Sequence, residues 1–251
     1  MYKCFPILLV MVFFIGSINT IVVQCKYEFD YFYFCHGTVI DGYKNPNITE
    51  VQGDHVGNRT LADVDSVRLI KQNLTEFPGH IEKFFPKVSK IDLAENNLTN
   101  ITNAEIRNIP KLRDLVLWGN KLTILDGNLL QGMCYIKFLD LDYNQIKHVG
   151  DDFQFPENAL LFMQHNSCIN ITIFGVLEVL RIKSIFRSKC PPVGVEPTVL
   201  NENDIVIPEY VRRNVEAQAM YSRMQLFEER LEALEAKMAN AVEIRISDTG
   251  L

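Results

Sequence analysis

The sequence predicts an α/β solenoid, a fold built from short coils of chain stacked side by side, and three features predict it. Apolar residues return with a period of 24 residues through the middle of the chain. A polar amide residue returns at one fixed place in each copy. Pairs of cysteines stand on both sides of the repeated part. Together these features predict one elongated domain with a disulfide-bonded cap at each end.

Four full copies and one shorter copy of the repeat can be aligned. Each full copy opens with two apolar residues separated by one residue, and an amide residue stands three places after the second of them. This is the leucine-rich repeat pattern, so residues 63–167 are predicted to form a leucine-rich repeat horseshoe of about five repeats. The apolar pairs are Val67/Leu69, Ile91/Leu93, Leu115/Leu117, Leu139/Leu141 and Leu161/Met163, and the amides are Gln72, Asn96, Asn120, Asn144 and Asn166.

The spacing of the repeat explains why the coils should stack. Alternation of the two apolar residues places both on one side of a short strand. One coil cannot bury that side alone, whereas stacked coils share a continuous core. The amide that follows can bond backbone groups that the bend would otherwise leave buried and unpaired. Gln72 replaces asparagine in the first copy, so we expect a less regular bend there.

Four cysteines outside the repeats predict the two caps, which a solenoid needs because its ends would expose core. An even number of cysteines in a secreted chain is typical of disulfides, and the sequence leaves other pairings open. The predicted caps cover residues 21–62 and 168–190, with the disulfides Cys25–Cys35 and Cys168–Cys190.

Cys134 is left without a partner within the predicted caps. It occupies a variable position of the fourth copy and not one of the inward apolar positions. An odd cysteine in a secreted chain indicates either an intermolecular disulfide or a shielded free thiol, and the sequence leaves both open.

The first 20 residues predict a secretory signal peptide. Lys3 precedes an apolar run from Phe5 to Ile15, which is followed by the small residues Gly16 and Ser17. A signal anchor is the alternative, and no later segment is apolar enough to predict a membrane span. The secretory route makes Asn-x-Ser/Thr sites candidates for glycosylation. These sites are Asn47, Asn58, Asn73, Asn97, Asn100 and Asn170.

The C-terminal part predicts a separate helical element. Residues 191–208 contain four prolines and are interpreted as a linker, and residues 243–251 as a tail. Residues 209–242 are free of glycine and proline and carry apolar residues at alternating steps of three and four, which predicts a coiled-coil helix. A lone amphipathic helix, or one that packs on the solenoid, is the alternative. The central apolar positions are Met220, Met224, Phe227, Leu231, Leu234 and Met238.

The charges beside this apolar seam favour a parallel pair of helices, formed with a second copy or with a related chain. Arg223 and Arg230 then meet Glu228 and Glu235 of the other helix. An antiparallel pair would bring like charges together.

The predicted concave side of the horseshoe carries the candidate partner-binding site. Strand residues between the inward apolar positions face this side, and aromatic residues collect there beside acidic ones over the last strands. Large aromatic residues next to charges are typical of interaction surfaces. The alternative is that the C-terminal cap or the linker covers them. The candidate residues are Arg68, Asp92, Asp114, Val116, Trp118, Phe138, Asp140, Asp142, Tyr143 and Phe162.

Composition and motifs argue against several classes of function. A net charge of −6 without a Lys/Arg cluster argues against nucleic acid or anionic lipid as the main partner. No motif for a nucleophile, a P-loop or a zinc site is present, and the five histidines lack ligand spacing. We therefore expect a protein that is not an enzyme and that has no cofactor and no metal.

The full set of features resembles the mosquito leucine-rich repeat immune proteins, in the short form with a C-terminal coiled coil. A signal peptide, cysteine-bounded 24-residue repeats and the segments Ile48–Gly53, Asp63–Val67 and Phe84–Pro86 carry the resemblance. It implies a haemolymph protein of innate immunity that forms a homo- or heterodimer through its coiled coil. It also implies recruitment of a complement-like thioester protein against pathogens. The alternative is a structural or adhesion protein of extracellular matrix, cuticle or saliva.

Overall fold

The structure of the chain is a computed structural model that describes residues 21–29, 31–41, 46–156, 159–174 and 176–197. The predicted signal peptide, coiled-coil helix and C-terminal tail lie outside the described residues, as does the linker beyond residue 197.

The described chain contains eleven strands and a few short helices. The strands are β1 (Ile21–Phe29), β2 (Tyr33–Asp41), β3 (Ile48–Gln52), β4 (Ser66–Arg68), β5 (Lys90–Asp92), β6 (Asp114–Val116), β7 (Ile124–Leu125), β8 (Phe138–Asp140), β9 (His148–Val149), β10 (Leu160–Met163) and β11 (Ile171–Phe174). The helices are a 3₁₀ turn (Leu61–Asp63), α1 (Ile81–Phe84), α2 (Asn103–Ile106) and α3 (Val176–Lys189).

Nine of these strands form one sheet that runs through the repeats and both caps. Its order is β11-β10-β8-β6-β5-β4-β2-β1-β3. The five repeat strands are parallel and in register, so that Val67, Ile91, Leu115, Leu139 and Leu161 lie side by side. Strands β7 and β9 form a second, two-stranded sheet on another side of the coils. The predicted leucine-rich repeat solenoid is therefore confirmed.

The core consists of the apolar positions that the repeat predicts. All ten residues of the apolar pairs are fully buried. The apolar residue after each bend is buried as well, at Leu74, Leu98, Leu122 and Ile146. Stacked coils thus share one continuous hydrophobic cluster, and burial of each large side chain contributes about 1.5–3 kcal/mol.

The recurring asparagines form a ladder that ties each coil to the one before it. Asn120 Nδ2 donates to the carbonyl oxygens of Leu93 and Leu117, at 3.0 Å each, and its Oδ1 accepts from the backbone N–H of Leu98 at 3.0 Å. Asn96, Asn144 and Asn166 repeat this arrangement. These side chains pair backbone groups in the buried bends, as the repeat spacing predicts.

Gln72 serves as the first rung of the ladder in spite of its different length. Its Oε1 accepts from the backbone N–H of Val39 in β2 at 2.8 Å, and its Nε2 donates to the carbonyl oxygen of Ile70 at 2.7 Å. The longer side chain therefore reaches the N-terminal cap, which has no 24-residue repeat of its own.

The N-terminal cap is a hairpin that extends the repeat sheet. Strand β1 pairs antiparallel with β2, and the Cys25–Cys35 disulfide links the two. Strand β2 pairs in parallel with β4, with Cys35 opposite Val67. Tyr33 of β2 also contacts His55, and its Oη lies 2.8 Å from His55 Nδ1. The hairpin thus covers the first coil.

The C-terminal cap reverses the sheet and lays a helix beyond it. Strand β11 pairs antiparallel with β10, and α3 ends at the Cys168–Cys190 disulfide. The backbone N–H of Val149 donates to the carbonyl oxygen of Cys190 at 2.9 Å, and Arg187 Nε lies 2.8 Å from Asp151. Ile182 and Phe186 on α3 join the hydrophobic cluster.

Candidate functional site

The candidate site is the sheet face, which we define as the side of the nine-stranded sheet turned away from the hydrophobic cluster. Parallel registry aligns its residues in columns across the coils. One column contains Ser66, Lys90, Asp114, Phe138 and Leu160, and the next contains Arg68, Asp92, Val116, Asp140 and Phe162. The structure thus places these sequence-predicted residues together on one surface.

Strand β2 adds residues to this face that the repeat pattern did not indicate. Phe34 lies opposite Ser66, and His36 lies opposite Arg68. The guanidinium carbon of Arg68 is 4.2 Å from the centre of the Phe34 ring, a cation–π contact. The alternation of Phe34, Cys35 and His36 around a buried cysteine is the sequence signal that could have indicated this strand.

Basic side chains on the sheet face lie over the first strands together with Asp92 and Asp114, whereas the later strands carry acidic side chains. Basic side chains collect over the first strands, where Lys90 Nζ lies 3.9 Å and Arg113 Nε 3.5 Å from Asp114. Arg68 Nε is buried and has no hydrogen-bond acceptor among the described residues. The acidic residues Asp140 and Asp142 lie over the later strands. A partner that covers this face would therefore meet mixed charges over the first strands and an acidic end over the later ones.

Three carboxyl groups of the sheet face have raised pKa values. Burial, together with the nearby charges of Asp142 and Asp92, raises the pKa of Asp140 to about 6. Burial also raises the pKa values of Asp92 and Asp142. The backbone N–H of Asp142 donates to Asp140 Oδ1 at 3.0 Å and opposes the shift. A cation that approaches Asp140 would favour its charged form.

The predicted aromatic residues form two separate groups. Phe138 and Phe162 contact each other on the sheet face, with ring centres 5.2 Å apart. Trp118, Tyr143 and His165 follow the strands, at the rim, where the Trp118 and Tyr143 centres are 5.7 Å apart and Tyr143 stacks on His165 at 4.1 Å. The aromatic residues that the sequence predicts over the last strands thus make two sets of ring contacts, and the second set lies beyond the strands, at the rim. The first group is the one beside Asp140.

The rim has a regular backbone that sequence analysis did not anticipate. The residue before each amide of the ladder has a positive φ in every coil: 58° at Lys71, 55° at Glu95, 68° at Gly119, 54° at Tyr143 and 56° at His165. Lys71 and Glu95 form an ion pair at 3.0 Å. We call this row of five residues the rim column.

Gly119 interrupts the side chains of the rim column and opens a groove there. The groove is shallow and open, has a volume of about 410 Å³, and is bordered by Trp118 and Tyr143 and by Asn73 and Asn97. Four other residue types adopt the same left-handed conformation in the rim column, so the backbone alone does not require glycine at position 119.

The six candidate glycosylation sites all lie within the described residues. Asn58, Asn73, Asn100 and Asn170 are exposed, and Asn47 and Asn97 are half-buried. The Asn97 amide donates a hydrogen bond to Asn73 Oδ1 on the preceding coil. Asn47 and Asn100 border another hollow, away from the sheet face.

Cys134 is exposed and forms no disulfide in the described chain. Of the two alternatives that the sequence leaves open, this exposure argues against the shielded thiol, because the loop before β8 leaves the side chain on the surface.

Two features are absent from the described residues. No group of three or more His, Cys, Asp or Glu side chains in these ranges is placed to hold a metal ion. No helix in the same ranges has the length and apolar character needed to cross a membrane.

Comparison with known proteins agrees with the repeat geometry. Residues 86–146 match the family described as leucine rich repeat. A chain in the crystal structure of an LRIM1/APL1C complex is also similar, with a TM-score of 0.35 and 17% sequence identity. That match covers 49% of this chain and 26% of the other, so it spans about a quarter of the other chain's length.

The stacked strands and the family match define the class of module. The chain carries a leucine-rich repeat solenoid, a class whose extended sheet surface serves to bind protein partners.

Proposed function

We propose that this chain is a secreted, non-catalytic immune module whose sheet face binds a complement-like thioester protein. The observation that carries the proposal is the acidic end of the sheet face, where Asp140 and Asp142 lie beside the Phe138–Phe162 pair. The resemblance of the sequence to mosquito leucine-rich repeat immune proteins supplies the kind of partner and the haemolymph as its location. The predicted coiled coil supplies pairing with a second chain.

The chemistry of this end favours a basic, partly apolar segment of the partner. Phe138 and Phe162 are half-buried, so their rings keep apolar area that a partner can cover. Asp140 and Asp142 are acidic groups that burial makes costly to ionise, and a Lys or Arg side chain would offset that cost. Apolar contact then contributes affinity, and charge contributes orientation and association rate.

The direct test is crosslinking of the secreted protein in haemolymph at physiological salt, followed by mass spectrometry. The proposal expects a thioester protein linked through Lys90 or Lys137, which stand on or next to the sheet face. Recovery of matrix or cuticle components instead would support the structural or adhesion alternative, and recovery of no thioester protein would end the proposal.

A pair of variants locates the binding surface. Phe138→Ala combined with Phe162→Ala should lower recovery of the partner about tenfold or more, since buried aromatic anchors dominate protein interfaces. Tyr135→Ala is the matched control, because Tyr135 is 62% exposed and lies outside the strands of the sheet. Equal loss in both variants would place the contact elsewhere.

A further inference from the structure

We propose that the groove beside Gly119 is the seat of an N-linked glycan on Asn97, whose first sugar packs against Trp118. The inference rests on the secretory route of the proposed function, and it is independent of any protein partner. Three observations lead to it: the acceptor lies in the wall of the groove, aromatic rings also border the groove, and a missing side chain leaves room between them.

The acceptor amide is already oriented by the neighbouring coil. Asn97 begins the site Asn97-Leu98-Thr99, and its Nδ2 donates to Asn73 Oδ1. An amide nitrogen has two hydrogens, so one can keep this bond while the other is replaced by sugar. Asn73 lies on the preceding coil and Gly119 on the following one, so a sugar that extends from Asn97 away from Asn73 would lie toward Gly119.

The modification itself is an ordinary group transfer from a lipid diphosphate oligosaccharide. The bond between the anomeric carbon and the diphosphate oxygen breaks, and a carbon–nitrogen bond forms at Asn97 Nδ2. The displaced amide proton leaves to a base, and the lipid diphosphate is the leaving group. The step leaves the amide neutral and adds a bulky sugar at Asn97.

The aromatic border of the groove offers what the apolar face of a sugar ring requires. The Trp118 ring is half-buried, meets Tyr143 edge to face and lies next to Gly119. Aromatic rings offer a large apolar surface with a polar group at the edge. Glu95, which pairs with Lys71, also borders the groove, and its carboxylate can accept a hydrogen bond from a sugar hydroxyl. Covalent attachment holds the sugar at a high effective concentration, so a weak contact is enough to seat it.

Gly119 is the residue that makes the groove available. A side chain built there would meet Glu95 Cγ at 3.4 Å, which is ordinary contact distance. The left-handed backbone strains any side chain at position 119, but Lys71, Glu95, Tyr143 and His165 accept the same conformation at the equivalent positions of their coils. A larger residue at position 119 would therefore be strained, as at the other positions of the rim column, and would occupy the place assigned to the sugar.

Trp118 is the only tryptophan of the chain, so its fluorescence reports on the groove alone. We would express the full chain in a secretory host, measure occupancy of each site by mass spectrometry, and measure acrylamide quenching of Trp118. Thr99→Ala removes the site without altering Asn97 and should raise the quenching constant about twofold, because a bulky sugar is lost from the ring. Asn58→Gln, which removes an exposed site elsewhere, should leave quenching unchanged.

Gly119→Lys gives a second readout that keeps the site intact. In the wild-type protein, enzymatic release of the Asn97 glycan under native conditions should be several-fold slower than release of the Asn58 glycan. Gly119→Lys should remove that difference, since the sugar is displaced from the groove.

The outcomes separate this inference from the proposed function. Absence of a glycan from Asn97 in a protein whose other sites carry glycans would overturn this inference and leave the proposed function standing. Equal quenching constants for wild type and Thr99→Ala would do the same. A protein that is retained inside the cell and carries no glycan at any of the six sites would overturn both proposals. Protection of Trp118 by added free oligosaccharide, and not by the attached glycan, would also count against the inference.

Discussion

At the scale of single residues, the buried amides decide whether the coils hold their spacing. Each asparagine of the ladder bonds backbone groups of two adjacent coils, as Asn120 does with Leu93, Leu98 and Leu117. The repeat of the amide could be predicted from the sequence, but its span across coils could not. Sequence spacing indicates which residues share a bend and gives no information about the lateral neighbour.

Asn120→Leu should destabilise the solenoid by about 3 kcal/mol or more, because it leaves buried backbone N–H and C=O groups without partners. Denaturant unfolding followed by circular dichroism would measure this. Asn128→Ala, at an exposed position outside the ladder, should change stability by less than about 0.5 kcal/mol. A loss as small for Asn120→Leu as for the control would contradict the structural role of the ladder.

Asp140 gives a prediction about pH. Its pKa is raised to about 6 in the folded chain, from an ordinary value of 3.8. A raised carboxyl pKa means that the folded state is favoured while the group is protonated, and that this contribution is lost as pH rises through about 6. Asp140→Asn should therefore stabilise the protein by about 1–2 kcal/mol above pH 7 and have little effect at pH 4.

Thermal unfolding of wild type and Asp140→Asn across that pH range checks the prediction. Asp54→Asn is a suitable control because Asp54 is exposed and away from the strands. A stabilisation of the same size at every pH would show that ionisation of Asp140 is not its cause.

At the scale of elements, the two caps close the ends by different means. The C-terminal disulfide spans 22 residues and the N-terminal one spans 10. The cysteine pairs could be predicted because they flank the repeat. The sheet-forming hairpin of the N-terminal cap could not be placed so readily, since Tyr33 and Phe34 follow no repeat and join the sheet only through contact with β4.

Replacement of both Cys168 and Cys190 by serine should lower the free energy of unfolding by about 3 kcal/mol, according to the loop-entropy account of disulfides. Denaturant unfolding with the Cys25–Cys35 disulfide intact would measure it. Hydrogen exchange should show the largest increase in β11 and α3, because these elements lie within or beside the opened loop. Uniform loss of protection through all coils would indicate that the cap does not open separately.

At the scale of the whole molecule, the sequence predicts the stacked coils of the solenoid better than it predicts the surfaces that they carry. Buried positions such as Leu115 and Leu117 repeat at a fixed period, so one rule predicts all of them. The rim groove depends on the missing side chain at Gly119 and on residues of the neighbouring coils. Such a combination becomes visible only when the stacking is known, which is why the sequence predicted the aromatic residues but not the groove beside them.

Pairing of two chains is the prediction that belongs to this scale. Full-length protein should scatter light as a dimer at micromolar concentration, and a chain ending at residue 208 should be a monomer, because the predicted parallel coiled coil lies beyond it. Charge reversal at Glu228 and Glu235 should weaken the pair by about 1 kcal/mol or less per contact, since these positions of a coiled coil are exposed to solvent. A monomer in both forms would exclude the homodimer and leave a heterodimer with a related chain.

The rim column also bears on how such a protein could diversify. Lysine, glutamate, glycine, tyrosine and histidine occupy the same left-handed position in successive coils. The backbone there accommodates a basic, an acidic or an aromatic side chain, or no side chain, in the same conformation. Single substitutions at these five positions can therefore change what the rim binds, while the buried core beneath stays the same.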